Sequence, residues 1–225
     1  MGEMPEGIDE QAVAALSTVC VSTLGHLRDW GFAIGLQPNR RPVRFVGCAV
    51  TVRIPHLDSA AVHLAADLLR PGDVLVVDQC GDHTRSCVGG LVSYTAKERG
   101  AVGAVVDGAV NDYEETLAYD FPVFSRGFSP LTTRILGIEG AMNVPVSVGG
   151  TVVHPGDIVF ADSDGVAFLK PHEGRELAEL LASKEAAEGP AREDIAAGGS
   201  LSAFSGADSY APPGWRSASS DTMRI

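Results

Sequence analysis

The stretch DVLVVDQCGDHTRSCVGGLVSYTAKERGAVGAVVDGAVND, residues 73–112, decides how the chain folds. DVLVVD (73–78) is a nearly continuous apolar run, the pattern of a strand buried on both faces. A polar loop, QCGDHTRSCVGG (79–90), leads into LVSYTAKERG (91–100), an amphipathic helix closed by a glycine. AVGAVVDG (101–108) is a second buried strand, ending at the polar pair Asn111-Asp112. Strand, loop, helix and strand in this order predict a right-handed βαβ unit with a parallel pair of strands.

Upstream, residues 8–30 (IDEQAVAALSTVCVSTLGHLRDW) predict an opening helix, stopped by Gly31, Gly35 and Pro38. FVGCAVTVRI (45–54) alternates and is β-branched, a strand pattern, and SAAVHLAADLLR (59–70) predicts a helix capped by Asp58 or Ser59. Downstream, FPVFSRG (121–127), VPVSVGG (144–150), TVVHPGD (151–157), IVFADSDG (158–165) and VAFLK (166–170) are short strands punctuated by Gly, Pro and Asp. RPGDVLVVD and HPGDIVFAD repeat one pattern 84 residues apart, either pseudo-symmetry or a turn that suits any following strand. EGRELAELLASKEAAE (173–188) predicts a charged helix broken or kinked at Gly189-Pro190. The expectation is one α/β domain over residues 1–199, with mixed parallel and antiparallel strands, and a Gly/Ser/Pro-rich tail over 200–225.

Composition narrows the function. Among 225 residues, 17 Lys and Arg face 29 Asp and Glu, a net charge of −12. That balance offers no basic surplus for nucleic acid or for anionic lipid. Hydrophobic residues at 45% exclude general disorder, and no apolar run is long enough to span a bilayer. The acidic opening MGEMPEGIDE does not resemble a signal peptide, and Cys20, Cys48, Cys80 and Cys87 form no CxxC pair. Both point to a cytoplasmic protein with reduced thiols.

Gly89-Gly90-Leu91 opens a helix at the end of a polar loop, where free amides and the helix dipole suit an anionic group. The alternative is a sharp turn that two glycines permit. Asn111 and Asp112 follow a parallel strand, where open α/β sheets gather ligands, but either residue could instead cap the helix EETLAY. Asp82, His83 and Arg85 put an acid, an imidazole and a guanidinium in one loop, as a proton shuttle and a carboxylate fork or as solvated residues. Cys80 and Cys87 are too widely spaced for a zinc pair, and Asp162-Ser163-Asp164-Gly165 lacks the glutamate of a calcium loop, so a hairpin turn is expected there. His56 and His63 read as packing or surface residues.

Taken together, GCAVTV (47–52), RPGDVLVVD (70–78), GGLVSYTAKERGAVGAVVDGAVND (89–112), FPVFSRGFSP (121–130) and VVHPGDIVFADSDGVAFL (152–169) resemble the RraA-like family. That family contains the regulator of ribonuclease E activity and the 4-hydroxy-4-methyl-2-oxoglutarate aldolases, and some members bear an older name as demethylmenaquinone methyltransferases. The resemblance runs from about Ser17 to Gly199 and implies a swivelling β/β/α domain assembled as a homotrimer or hexamer. It further implies a Mg2+- or Mn2+-dependent lyase that releases pyruvate from an α-keto acid by aldol cleavage or decarboxylation. In the family an acid that handles a proton through water precedes a twenty-residue spacer and then Arg-Asp. The Arg holds the keto acid and the Asp holds the metal, completed by a carboxylate from a neighbouring subunit's C-terminal helix.

Here the pattern is broken at the chemistry. Counting back over Leu91 to Val110, Gly90 stands in place of the acid, Asn111 stands in place of the Arg, and only Asp112 is kept. Thr23 in VSTLG (21–25) replaces a usual Asp. Asn cannot supply the bidentate charge of Arg. The expected set is therefore Asp112 and Glu185 (Glu188 second) for the metal, and Gly89, Gly90, Leu91, Asn111 and Arg126 for a small anionic substrate. His83, Asp82 or Arg85, with Asn111, would supply the chemistry. The competing expectation is a non-catalytic regulator that docks on an Arg-rich protein.

Overall fold

The computed structural model describes residues 2–214. In chain order the strands are β1 (Gln37–Pro38), β2 (Arg44–Arg53), β3 (Asp73–Asp78), β4 (Ser86–Val88), β5 (Gly103–Asp107), β6 (Ala109–Val110), β7 (Val123–Ser125), β8 (Gly127–Phe128), β9 (Ala141–Met142), β10 (Val146–Val148), β11 (Thr151–Val153), β12 (Ile158–Asp162) and β13 (Gly165–Leu169). The helices are α1 (Glu10–Leu16), α2 (Val21–Gly25), α3 (Ala60–Leu68), α4 (Gly90–Glu98), α5 (Tyr113–Ala118), α6 (Gly174–Ala196) and α7 (Leu201–Ser205).

The main sheet runs β1-β7-β5-β3-β2-β12-β13, with β9 also on β2. Strands β2, β3, β5 and β7 are parallel, whereas β12 and β13 form an antiparallel hairpin beside β2. The expected mixed α/β architecture is the observed one. The apolar runs 74–77 and 104–106 are fully buried because both sheet faces are covered. Helices α3 and α4 pack one face, β10 and β11 help cover the other, and α1, α2 and α6 pack against β12 and β13.

The repeated PGD pattern is a repeated turn. Asp73 accepts the Arg70 amide at 2.8 Å, and Asp157 accepts the His154 amide at 2.8 Å. Both strands then flank β2, but β3 lies parallel to it and β12 antiparallel. The β12–β13 hairpin pairs Asp162 with Gly165 across Ser163-Asp164, and Asp162 accepts the Asp164 amide, so this is a turn.

Three expectations are corrected. The opening segment is two short helices rather than one, because Cys20 and Val21 turn their amides onto carboxylates elsewhere in the fold. Glu185 Oε1 accepts Cys20 N at 2.6 Å, and Asp162 Oδ2 accepts Val21 N at 2.8 Å. Of the break or kink expected at Gly189-Pro190, the break does not occur, because helix α6 continues through both residues to Ala196, with Ala191 buried beyond the proline. The strand expected over 101–108 ends at Asp107, where Gly108 turns the chain; a Cβ at Gly108 would overlap Gln79 Oε1. Asn111-Asp112 therefore follow a different strand, β6, in a second sheet. Of the tail, α7 and a short turn over Ala207–Tyr210 are described, and residues 215–225 lie outside the described part.

Candidate functional site

The second sheet is small and parallel, ordered β4-β6-β8. Sequence patterns do not predict it, since its strands have two or three residues and β4 lies inside the polar loop 79–90. Its effect is decisive for the site. β4 leads into Gly89-Gly90 and α4, while its neighbour β6 leads into Asn111-Asp112 and α5, so these two segments stand side by side.

They form one wall of a cleft of about 470 Å3. Asp112 holds the N-cap position of α5 with a left-handed backbone (φ 55°, ψ 50°), yet its side chain caps nothing there. Instead Asp112 Oδ2 accepts the Gly90 amide at 2.8 Å. The Asn111 side chain lies over Gly89, where a Cβ would come within 2.8 Å of its Oδ1. The first-turn amides of Leu91 and Val92 have no partner within α4, as at every helix start, and both residues line the same opening.

A second wall is the segment Thr132 to Ile135, bridged to β4 through Ser86. Sequence reasoning did not single it out, because no periodicity or motif marks it. It brings Arg134, whose Nη1 donates to Thr132 O, Thr132 Oγ1 and Thr133 O at 3.0–3.1 Å. Asp58 anchors this wall, accepting the amides of Ala60, Leu136, Ile138 and Glu139. The Ala60 amide and then the three from the wall outweigh burial and hold the Asp58 carboxyl at about 2. Of the two residues expected to cap α3, Ser59 holds the N-cap position without a side-chain bond, and Asp58, just before it, accepts the Ala60 amide while also tying down the segment beyond Arg134.

The other expected residues lie apart from this cleft. Asp82 Oδ1 accepts the Thr84 and Arg85 amides and the Thr84 hydroxyl, and Arg85 Nη1 sits 3.3 Å from Asp82 Oδ2. Burial pushes the Asp82 carboxyl up, but those hydrogen bonds prevail and hold it at about 2. The pair closes its own loop. His83 and Arg126 converge on Asp107, at 3.5 Å and 2.6 Å from Oδ1, while Asp107 Oδ2 accepts the Gly149 amide. Glu185 caps α2 of its own chain and also accepts the Thr23 hydroxyl at 2.7 Å; Glu188 pairs with Arg192. Cys87, which does line the cleft, is buried, and that burial pushes its thiol up to about 12.

Among the described residues, no three His, Cys, Asp or Glu side chains gather as a ready-made metal cage. Asp112 still suits Mg2+ or Mn2+: the oxygen not used by Gly90 receives no protein donor among the described residues. Mg2+ commonly takes one or two carboxylates and fills its shell with water and substrate.

Comparisons with known proteins bear on the family and the fold. The RraA-like family model, described as Aldolase/RraA, matches residues 18–168. A protein of Halalkalibacterium halodurans named "Putative 4-hydroxy-4-methyl-2-oxoglutarate aldolase" is 39% identical over 158 residues, covering 70% of this chain and 74% of its own. Among solved structures, Streptomyces coelicolor RraAS2, described as an unusual member of the RNase ES inhibitor RraA family, superposes with a TM-score of 0.74. It shares 27% identity, covering 85% of this chain and 99% of its own. The RNA-processing inhibitor RraA from Thermus thermophilis gives 0.61 at 28% identity, over 67% and 92%. With the matched region spanning the main sheet, both walls of the cleft and the β12–β13 hairpin, the chain belongs to the RraA-like family.

Proposed function

We propose that the chain is a divalent-metal-dependent carbon–carbon lyase that acts on a small α-keto acid. The observation that carries this reading is the Asp112 carboxylate, which is turned away from its own helix and onto the Gly90 amide, into the cleft. The aldolase name of the H. halodurans relative supports the reaction class.

In this reading Asp112 would hold Mg2+ or Mn2+, which would supply positive charge next to the bond that breaks. The Leu91 and Val92 amides, at the positive end of α4, receive a carboxylate of the substrate. Arg134, the arginine among the residues that line the cleft, would supply positive charge in place of the Arg replaced by Asn111. Asn111 orients substrate as a neutral donor and acceptor. Leu91 and Ile135, 80% and 60% exposed, leave apolar surface on both rims. A neighbouring copy in a homotrimer or hexamer would cover that surface. No helix among the described residues is long and apolar enough to cross a membrane; a cytoplasmic protein without a nucleic-acid partner remains our expectation.

The test is a calorimetric titration with Mn2+ followed by an assay of pyruvate released from oxaloacetate. Saturable binding and metal-dependent release support the lyase. No binding and no release would overturn it in favour of a regulator. The likeness to an RNase ES inhibitor family member and the −12 charge, suited to an Arg-rich partner, favour that second reading.

A further inference from the structure

We infer that a second cavity, at the start of β3, binds a small organic ammonium on the Asp73 carboxylate. This cavity measures about 410 Å3 and lies between α1, with the segment before it, and the first residues of β3. It is thus at the opposite end of β3 from the loop that leads to the cleft. Ile8, Val13, Val46, Cys48, Pro71 and Val102 give it apolar walls. Burial pushes the Cys48 thiol up to about 11, so that wall stays neutral. The charged residues that line it are Asp73 and Glu10, and no Lys, Arg or His lines it among the described residues.

The repeated turn supplies an internal comparison. Asp73 and Asp157 hold the same place in it, 2% and 3% exposed, each accepting the amide three residues back at 2.8 Å. On Asp157, Lys170 Nζ stands 2.9 Å from both carboxylate oxygens. On Asp73 the one side-chain donor among the described residues is Arg70 Nε, 3.4 Å from Oδ2, the oxygen that already takes the amide. The Arg70 side chain is engaged elsewhere, its Nη2 donating to Pro5 O at 2.6 Å. Asp73 Oδ1 receives no protein donor among the described residues. Burial accordingly outweighs the Arg70 bonds and raises the Asp73 carboxyl, the reverse of Asp58 and Asp82. A buried carboxylate that lines a cavity and lacks the cation its counterpart has suits an ammonium, which brings three donors. The apolar walls suit a compact hydrocarbon body on that ammonium.

Calorimetric titration with cyclohexylamine, and with cyclohexanol as its neutral counterpart, tests this at about pH 8, where the amine is protonated and the carboxylate ionised. Cyclohexylamine should bind saturably with a Kd of about 1 mM or tighter, and cyclohexanol at least about tenfold more weakly. Asp73→Asn, which keeps an oxygen for the Arg70 amide, should weaken the amine at least about tenfold and leave the alcohol within about threefold. Ala14→Phe adds a ring to the cavity lining from an exposed position on α1 and should abolish amine binding without lowering the melting temperature by more than a few degrees. That variant keeps the net charge of −12, so a loss there excludes general attraction of a cation to an acidic protein. Equal binding of amine and alcohol, or amine binding unchanged in either variant, would overturn the proposal. So would a wild-type protein that binds no cyclohexylamine at about 20 mM. None of these outcomes touches metal binding at Asp112, so the lyase reading is tested separately.

Discussion

Replacing Asp112 by Asn separates the metal reading from a structural one, and the structure sets both magnitudes. Asn retains an oxygen for the Gly90 amide, now 2.8 Å from Asp112 Oδ2, and it tolerates the left-handed backbone as well as Asp does. Only the charge assistance of one hydrogen bond is lost, about 0.5–1 kcal/mol. A domain of this size shifts by about 2–4 °C per kcal/mol, so without metal the variant should melt within about 4 °C of wild type. Bound metal should stabilise the wild type far more than that. A ligand at about 100 times its dissociation constant stabilises by about 2.7 kcal/mol, which is a rise of about 5–11 °C. The assay is a melting curve with and without about 5 mM Mn2+ for both proteins. A rise in the wild type that vanishes in Asp112→Asn is the expected result, because a neutral amide is a poor ligand for a hard divalent ion. An equal rise in both proteins, or none in either, refutes the role given to Asp112.

Four further outcomes follow from the same structure. Glu185→Ala strips the acceptor from Cys20 N and the Thr23 hydroxyl and should cost about 1–2 kcal/mol in urea unfolding; a neutral result would deny its capping role. Asp58 and Asp82 have folded values near 2 against an ordinary 3.8, so their stabilisation is complete above about pH 4 and is lost as pH falls towards 2. Asp73, raised by burial, works in the opposite sense, and melting followed from pH 7 to 2 in wild type and Asp58→Asn should show a shallower acid slope in the variant. Cleavage of 4-hydroxy-4-methyl-2-oxoglutarate should be about 10²- to 10³-fold weaker than in relatives that keep the Arg, because Asn111 cannot form the charged fork; equal turnover in a coupled pyruvate assay would show that Arg134 restores it fully. Light scattering at micromolar concentration should give a trimer or hexamer mass, and a monomer would leave Leu91 and Ile135 without cover.

The main sheet was legible because its strands obey local rules. Strand β3 falls on DVLVVD to the residue, and α4 and the β12–β13 hairpin fall within a residue or two of their sequence patterns. What escaped was decided by contacts distant in sequence. The break between α1 and α2 depends on Asp162 and Glu185, more than 140 residues away, so an apolar period continuous through Val19 and Val21 could not reveal it. In the site, Gly89-Gly90 and Asn111-Asp112 were visible as strand ends followed by helix starts. Arg134 was not, since an irregular wall held by one carboxylate leaves no periodic trace, and Asp58 was visible only as a candidate helix cap.

The position of β2 has a consequence for the growing chain. It leaves the ribosome well before its antiparallel neighbour β12, whose paired residues lie 110–118 positions later, and the start of α2 precedes the carboxylate of Glu185 by 165 residues. At about 5–20 residues per second of synthesis, roughly 5–20 seconds pass before that edge is paired. During this interval an apolar strand edge and the bare start of α2 stay open to other chains. Slowed elongation between β3 and β12, or scarce holding chaperones, should therefore raise aggregation of the nascent protein more than a change of the same size after residue 185.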